Sequence, residues 1–174
     1  LVKSGCDIVI HVNGDLSETV PAYGRIKGFR EFCESRNINH SVILTDLGNN
    51  FEENHSRIQK LFTELESSYK GMKIGLFMPN DTYASILLNI IVQKYGKLPD
   101  RYRIIGFDNS PVSREAIIPI STIGQQVDVM ADSAMELLTA QINERRKRRP
   151  TPDPEPIHRI ISPILIKRET AFPE

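Results

Sequence analysis

The stretch RYRIIGFDNSP, Arg101–Pro111, carries the clearest signature of the fold. Its apolar residues and glycine predict a buried β-strand over 103–107, which Asp108, Asn109 and Pro111 end in a turn. The carboxylate and amide that stand side by side where this strand ends indicate one wall of a site for a small polar molecule. The patterns on either side of the stretch predict the sheet to which it belongs.

Three earlier segments repeat the same order of strand, polar turn and helix. Strands are predicted over 7–12, 41–45 and 73–78, and each is followed by apolar residues at helical spacing. Strands that alternate with helices of this length predict βαβ units and a parallel sheet. Because the crossovers are right-handed, helices cover both faces. The predicted fold is α/β: a three-layer αβα arrangement around an open, mostly parallel, doubly wound sheet.

The pattern changes after Pro119. The order predicted from there is an extended segment over 120–124, one long amphipathic helix over 126–144, a basic run RRKRR at 145–149, a proline-rich segment at 150–156, an extended segment at 157–161 and a final extended tail from Ile164. Two interpretations of the basic run stay open. It is a nucleic-acid or targeting signal, or it is the solvated end of a helix, where cations suit the helix dipole. Its place before the prolines favours the helix end.

Composition excludes several classes of protein. The 174 residues include 22 basic and 22 acidic side chains, so the chain carries no overall charge that would attract nucleic acid or an anionic membrane. No apolar run is long enough for a transmembrane helix, and no signal peptide is visible. The two cysteines are expected to be buried thiols in a reducing cytosol. Because the chain starts at Leu1, we interpret it as a piece of a longer protein.

Polar side chains gather after every predicted strand, and in an open α/β sheet ligands bind outside the carboxyl ends of the strands. Amides and carboxylates there suit a ligand with several directional hydrogen bonds. Phe51 adds a flat apolar face, and Arg25 adds a forked donor. The other interpretation is that Asp and Asn only form turns and helix N-caps, which leaves the arginine unexplained. The set comprises Asn13, Asp15, Ser17, Asp46, Asn49, Asn50, Phe51, Asn80, Asp81, Asp108 and Asn109.

An enzyme is not expected. The chain contains no nucleophile elbow, zinc-protease motif, Walker A loop or dinucleotide fingerprint. His11 lies near the expected crevice, and a structural role is favoured over ligand contact. Asp46, Asp81 and Asp108 could in principle surround Mg²⁺, but no loop cradles a phosphate. We therefore predict no catalytic residue, no metal site and no cofactor.

Five motifs occur in one order along the chain. They are Arg25–Phe29 (RIKGF), Pro79–Asp81 (PND), Ile105–Asn109 (IGFDN), Pro119–Gln125 (PISTIGQ) and Leu165–Thr170 (LIKRET). Together they resemble the effector-binding region of the LacI/GalR family of bacterial transcription regulators. The resemblance covers nearly the whole chain, and it departs from the family pattern at Tyr83, where small residues are usual.

The resemblance implies a lobe of the type I periplasmic-binding-protein fold and a regulator that works in the cytoplasm. Residues 1–120 and 156–174 would form the C-terminal effector-binding lobe, and 121–155 would contain a crossover segment, the long helix and the linker. The DNA-binding headpiece and most of the N-terminal lobe would lie outside this chain. The whole regulator would be a homodimer that binds operator DNA and a sugar or nucleoside-like effector, without a membrane partner.

By position in the motifs, the resemblance gives effector contacts to Arg25, Asn80 and Asp108, an aromatic stacking role to Phe51 and a cleft position to Gln125. Ser17 completes the predicted ligand-binding set through its place after the first strand. Two alternatives stay open. One is a periplasmic sugar-binding protein of the same fold, which would carry a secretion signal before Leu1. The other, less favoured, is a flavodoxin-like or phosphoacceptor enzyme, which magnesium- or cofactor-dependent turnover would reveal.

Overall fold

The computed structural model describes residues 1–14, 21–48, 50–146 and 156–172. The elements in chain order are a short 3-10 helix Val2–Ser4, β1 Ile8–Asn13, α1 Pro21–Ser35, β2 His40–Leu44, α2 Phe51–Ser68, β3 Ile74–Phe77, α3 Asp81–Tyr95, β4 Tyr102–Phe107, α4 Pro111–Glu115, β5 Ser121–Gly124, α5 Val127–Arg145 and β6 Ile164–Ile166. The short helix α4 follows Ser110 and was not predicted from the sequence.

The strands form one six-stranded sheet in the order β2-β1-β3-β4-β5-β6. The first five are parallel: β1 pairs with β2 and β3, β3 pairs with β4, and β4 pairs with β5. The order runs outward from β1 in both directions, which is the doubly wound arrangement. The predicted fold class, an α/β fold with a mostly parallel sheet, is therefore confirmed.

Alternate residues of β1 show how helices cover both faces of the sheet. Ile8, Ile10 and Val12 belong to the core that α2 and α3 complete. His11 points the opposite way and packs against Phe29 of α1. Because successive strand residues face opposite sides, α1 lies on one face while α2 and α3 lie on the other.

The main core explains why α2 and α3 form where they do. Ile58, Leu61, Phe62 and Leu65 recur at helical spacing on α2, and all four are buried. Helix α3 is apolar almost all round, as Ile86–Ile91 shows, and it is the most buried helix described. The predicted apolar face of α1 is buried only in part, because Ile26 and Cys33 are covered whereas half of the Phe32 side chain is exposed.

The chain separates into two compact units. The first comprises Leu1–Ile123 with Leu165–Glu174, and the second comprises Gly124–Ile164. The predicted assignment of 121–155 to a crossover segment concerns the family arrangement and stays a prediction. Lys147–Arg149 of the basic run, and the proline-rich segment up to residue 155, lie outside the described residues.

Within the second unit, α5 is amphipathic in sequence but none of its residues is buried. The segment after the prolines is held to this helix by Arg159, whose Nη1 donates to Glu136 Oε2 at 2.8 Å and to Ser133 Oγ at 2.9 Å. No helix in the described part of the chain has both the length and the apolar character that crossing a bilayer requires.

Candidate ligand-binding site

The parallel strands bring the ends of β1, β2, β3 and β4 to one edge of the sheet, where α2 and α3 begin with polar caps. Asn50 Oδ1 accepts hydrogen bonds from the Glu52 and Glu53 amides at 3.0 and 3.3 Å, which caps α2. Asn80 Oδ1 accepts the Tyr83 amide at 3.0 Å, which caps α3. The turn-and-cap interpretation is therefore correct for these two asparagines, and it uses only their carbonyl oxygens.

Arg25 lies between the ends of β3 and β4. Its Nη1 donates to the Pro79 carbonyl at 2.7 Å, and its guanidinium carbon is 4.4 Å from the centre of the Phe107 ring. Pro79 precedes Asn80 and Phe107 precedes Asp108, so the arginine contacts the residue before each of two predicted site residues. Burial lowers the pKa of Arg25, and the charge of Asp108 opposes this effect. A guanidinium has five N–H donors, and Pro79 is its one hydrogen-bond acceptor among the described residues.

Asn80 keeps donor capacity for a ligand. Its Oδ1 is engaged by the Tyr83 amide, whereas its Nδ2 makes no hydrogen bond with any residue in the described ranges. The side chain is half-buried at the edge of the sheet. An amide in this position can offer two N–H groups to an acceptor outside the protein.

Asp108 and Asn109 form an unusual turn. Their φ angles are 98° and 53°, so two consecutive residues other than glycine occupy the left-handed region. Aspartate and asparagine tolerate this region better than most residues, but it still costs free energy. The Asp108 amide donates to the Ile123 carbonyl at 2.8 Å, and the Asn109 amide donates to Thr122 Oγ1 at 3.3 Å. The turn leaves the Asp108 side chain exposed.

Asp81 stabilises this turn through hydrogen bonds in the interior of the domain. Only 1% of the residue is exposed. Its Oδ2 accepts hydrogen bonds from the Ser110 amide at 2.7 Å and from Ser110 Oγ at 3.1 Å, and its Oδ1 accepts the Thr122 hydroxyl at 2.6 Å. A Cβ on Gly106 would lie 2.2 Å from Oδ1, which explains why the IGFDN motif has glycine there. Asp81 therefore has a structural role, which no motif or spacing in the sequence indicates.

No metal centre accompanies these carboxylates in the described ranges. Asp81 is engaged by three protein donors, and no three histidine, cysteine, aspartate or glutamate side chains within the described residues are grouped to hold a metal ion. The edge of the sheet therefore offers hydrogen-bonding groups, the Arg25 guanidinium and the exposed Asp108 carboxylate.

Phe51 and Tyr83 stand at the start of α2 and α3. Phe51 is 64% exposed, which suits a surface for a flat ring. The Tyr83 hydroxyl donates to the Gly48 carbonyl at 3.1 Å, and the same carbonyl accepts Asn54 Nδ2 at 2.7 Å. Tyr83, the departure from the family pattern, thus ties the start of α3 to the loop that leads to Phe51.

The described part of the first unit contains all the predicted ligand-binding residues except two. Ser17 lies outside the described residues, and Gln125 is an exposed residue of the second unit. Both stay predictions.

His11 is fully buried on β1, where its ring stacks on Phe77 at 4.5 Å and its Nδ1 donates to the Phe77 carbonyl at 3.0 Å. Burial lowers the pKa of His11, and the charge of Arg25 lowers it further. These contacts agree with the structural interpretation of this histidine.

Comparison with known proteins gives a family and a set of relatives. The sequence matches the periplasmic binding protein-like domain over residues 1–170. It is 24% identical over 145 residues to the ribose operon repressor of Halalkalibacterium halodurans, covering 83% of this chain and 41% of the repressor. It is 27% identical over 156 residues to the HTH-type transcriptional repressor PurR of Histophilus somni, covering 84% of this chain and 43% of that protein. The chain thus spans about two fifths of these curated relatives.

Solved structures share the fold. A LacI family transcriptional regulator from Arthrobacter sp. FB24, solved in complex with lactose, superimposes with a TM-score of 0.75 over 99% of this chain and 59% of that protein, at 18% identity. At this level of identity the likeness concerns the fold. Together with the sequence relatives, it agrees with the resemblance that the five motifs predicted.

Proposed function

Because the chain belongs to the family of periplasmic binding protein-like domains, we propose that it is the effector-binding portion of a LacI-type transcriptional regulator. Its sequence relatives are named as transcriptional repressors. Since the chain spans about two fifths of their length, the DNA-binding headpiece and the rest of the effector cleft would be supplied by the remainder of the regulator.

The effector is a small polar molecule, a sugar or a nucleoside. The observation that carries this proposal is the position of Arg25, which contacts Pro79 beside Asn80 and Phe107 beside Asp108. A guanidinium, an amide and a carboxylate at one edge offer donors and acceptors in fixed directions, which hydroxyl groups and base heterocycles satisfy. Phe51 supplies a surface for the ring of the ligand. The lactose bound by the structural relative supports the sugar class.

The effector acts by changing the balance between two states of the regulator. In a homodimer, closure of the two lobes on the ligand changes the spacing of the paired headpieces, and therefore the affinity for operator DNA in the cytoplasm. The effector can shift this balance only by its difference in affinity for the two states. The chain needs no catalytic group for this activity, and we propose none.

A ligand screen on the full-length regulator tests the proposal. Lactose, other mono- and disaccharides and nucleosides are compared by thermal shift, since a ligand that binds the folded state raises the melting temperature. We expect one class to stabilise the native protein, Arg25→Ala and Asp108→Asn to abolish the shift, and Arg30→Ala, an exposed arginine of the same helix, to keep it. An unchanged shift in Arg25→Ala would count against the site.

The family description favours one alternative, a periplasmic sugar-binding protein of the same fold. That protein would bind sugar without any effect on DNA. Gel-shift titration of the full-length protein with the promoter region of its own operon, with and without the ligand from the screen, separates the two functions. Ligand-dependent DNA binding supports the regulator.

A further inference from the structure

The C-terminal tail contacts the Asp108 turn through Arg168, which is 59 residues away from Asn109 in sequence. Arg168 Nη2 donates to Asn109 Oδ1 at 2.8 Å, and Nη1 donates to the Ile120 carbonyl at 2.8 Å and to Ser113 Oγ at 3.3 Å. One guanidinium therefore holds the turn after β4, the following helix and the start of β5 together.

The backbone around Arg168 is fixed just as firmly. Ser121 Oγ donates to the Arg168 carbonyl at 2.7 Å and accepts the Arg168 amide at 2.9 Å. Two residues further on, Thr170 Oγ1 donates to the Ile104 carbonyl and accepts the Ser121 amide. Both residues belong to the LIKRET motif, one of the five motifs that carry the family resemblance. The position of the guanidinium is thus set by strands β4 and β5.

Asn109 needs an outside contact of this kind. Its left-handed φ of 53° follows a second left-handed residue, Asp108, and no glycine relieves either position. An asparagine side chain can also hydrogen-bond to nearby backbone groups, so other local conformations compete with the left-handed one. A charged donor on its Oδ1 favours the one conformation in which the Asp108 side chain faces outward.

We propose that Arg168 is a positioning residue of the ligand-binding site, which holds Asp108 toward the ligand by fixing the side chain of Asn109. The inference rests on the proposed function for the ligand and on the described contacts for the mechanism. Arg168 does not touch the ligand itself. Its effect on binding passes through the conformation of the two turn residues.

Amide hydrogen exchange at residue resolution in the intact protein tests the mechanism without a ligand. In Arg168→Gln we expect the protection of the Asp108 amide to fall by about ten- to a hundredfold, the effect of losing one charge-assisted hydrogen bond. The core amide of Ile10 should change less. Arg168→Lys should recover part of the protection, and Lys167→Gln, which removes an exposed neighbouring charge, should leave it unchanged.

Variants of Asn109 separate this mechanism from a general loss of stability. Asn109→Asp keeps the acceptor and should keep the protection, whereas Asn109→Ala should lose it even if Arg168→Gln does not fold. In an Asn109→Gly background, where glycine takes the left-handed φ unaided, Arg168→Gln should change the protection of Asp108 less than about twofold. If Arg168→Gln still lowers the protection of the Asp108 amide by about ten- to a hundredfold in that background, the inference is overturned. Arg168 would then act through Ile120 or Ser113.

Binding of lactose, or of the ligand found in the screen, completes the test. We expect the dissociation constant to rise about tenfold or more in Arg168→Gln and Asn109→Ala, and to stay unchanged in Lys167→Gln. If no ligand binds the native protein while Arg168→Gln still loses protection, the proposed function fails and the positioning role stands. If protection at Asp108 is unchanged in Arg168→Gln and Asn109→Ala, the positioning role is wrong, whatever binds.

Discussion

Replacing Gly106 with alanine should destabilise the fold strongly, although alanine is the smallest possible change. The added Cβ would lie 2.2 Å from Asp81 Oδ1, 3.2 Å from Asp81 Cα and 3.3 Å from Asp81 Cγ. The carboxylate cannot simply rotate away, because the Ser110 amide and the Thr122 hydroxyl hold its two oxygens. The added Cβ would also press against the backbone at Asp81 Cα, so a new rotamer of Asp81 alone cannot remove the clash.

Two terms set the size of the effect. Overpacking a closely packed position costs about 1–3 kcal/mol. Moving the buried carboxylate of Asp81 by about 1 Å also weakens its hydrogen bonds, and one such bond to a charged group contributes about 1.5–3 kcal/mol. We therefore expect Gly106→Ala to lower the free energy of unfolding by about 3–5 kcal/mol, a large part of the about 5–15 kcal/mol that keeps a domain folded.

Urea unfolding followed by circular dichroism measures this loss. Gly28→Ala is the matched control, because nothing lies within 4 Å of a Cβ at that position on α1. In the middle of a helix this substitution should gain about 0.5–1 kcal/mol. A loss below about 0.5 kcal/mol in Gly106→Ala, or an equal loss in both variants, would refute the argument that Asp81 excludes a side chain at residue 106.

Three further outcomes follow from the described contacts. Asp81→Ala should lower the free energy of unfolding by about 3–5 kcal/mol and Asp81→Asn by about 1–2 kcal/mol, since an amide can still donate to Thr122 Oγ1; equal values in urea unfolding would contradict this. Because burial lowers the pKa of His11 below 6.5, the unfolded chain binds a proton below pH 6.5 that the folded chain excludes. The free energy of unfolding should fall by up to about 1.4 kcal/mol per pH unit below that value. The slope should diminish in His11→Gln but not in the exposed control His158→Gln. The apolar side chains exposed on α5 should make the chain associate as its concentration rises, and Leu138→Lys should weaken this association in sedimentation velocity. A native chain that stays monomeric at high concentration would exclude this association.

The edge that carries the candidate site could be predicted from the sequence, because parallel strands can be inferred from short-range patterns along the chain. Apolar runs followed by helical spacing predicted parallel strands, and parallel strands end at the same edge. Asn80 and Asp108 follow directly from that geometry, since each stands right after a strand. Arg25 could be added because its place in the first turn of the predicted helix after β1 directs a forked donor toward the same edge. Local pattern was therefore sufficient to expect these residues at one edge, and their contacts with a ligand stay predictions.

The supporting network could not be predicted in this way. Asp81 contacts Thr122, which is 41 residues away, and Arg168 contacts Asn109 across 59 residues. No periodicity or spacing records such contacts, since they depend on how β4 and β5 pair. The apolar stripe of α5 shows the converse case. Its spacing correctly predicted a helix, but the pattern alone does not say what covers the apolar face, and none of its residues is buried within this chain.

The exposed residues at the edge and the buried residues that support them have different physical requirements. This difference bears on how such a site can change its ligand. Phe51 and Asp108 are exposed, and the backbone turns that carry them are fixed by hydrogen bonds to other residues. Asp81 is buried and satisfies three donors at once, so almost any replacement leaves a polar group without a partner. The exposed side chain of Phe51 can therefore be exchanged at little cost in stability, whereas Asp108 is restricted by its left-handed φ and Asp81 by its buried hydrogen bonds. Tyr83 stands between these cases, because it packs half-buried against the core while its hydroxyl donates to the Gly48 carbonyl at the edge.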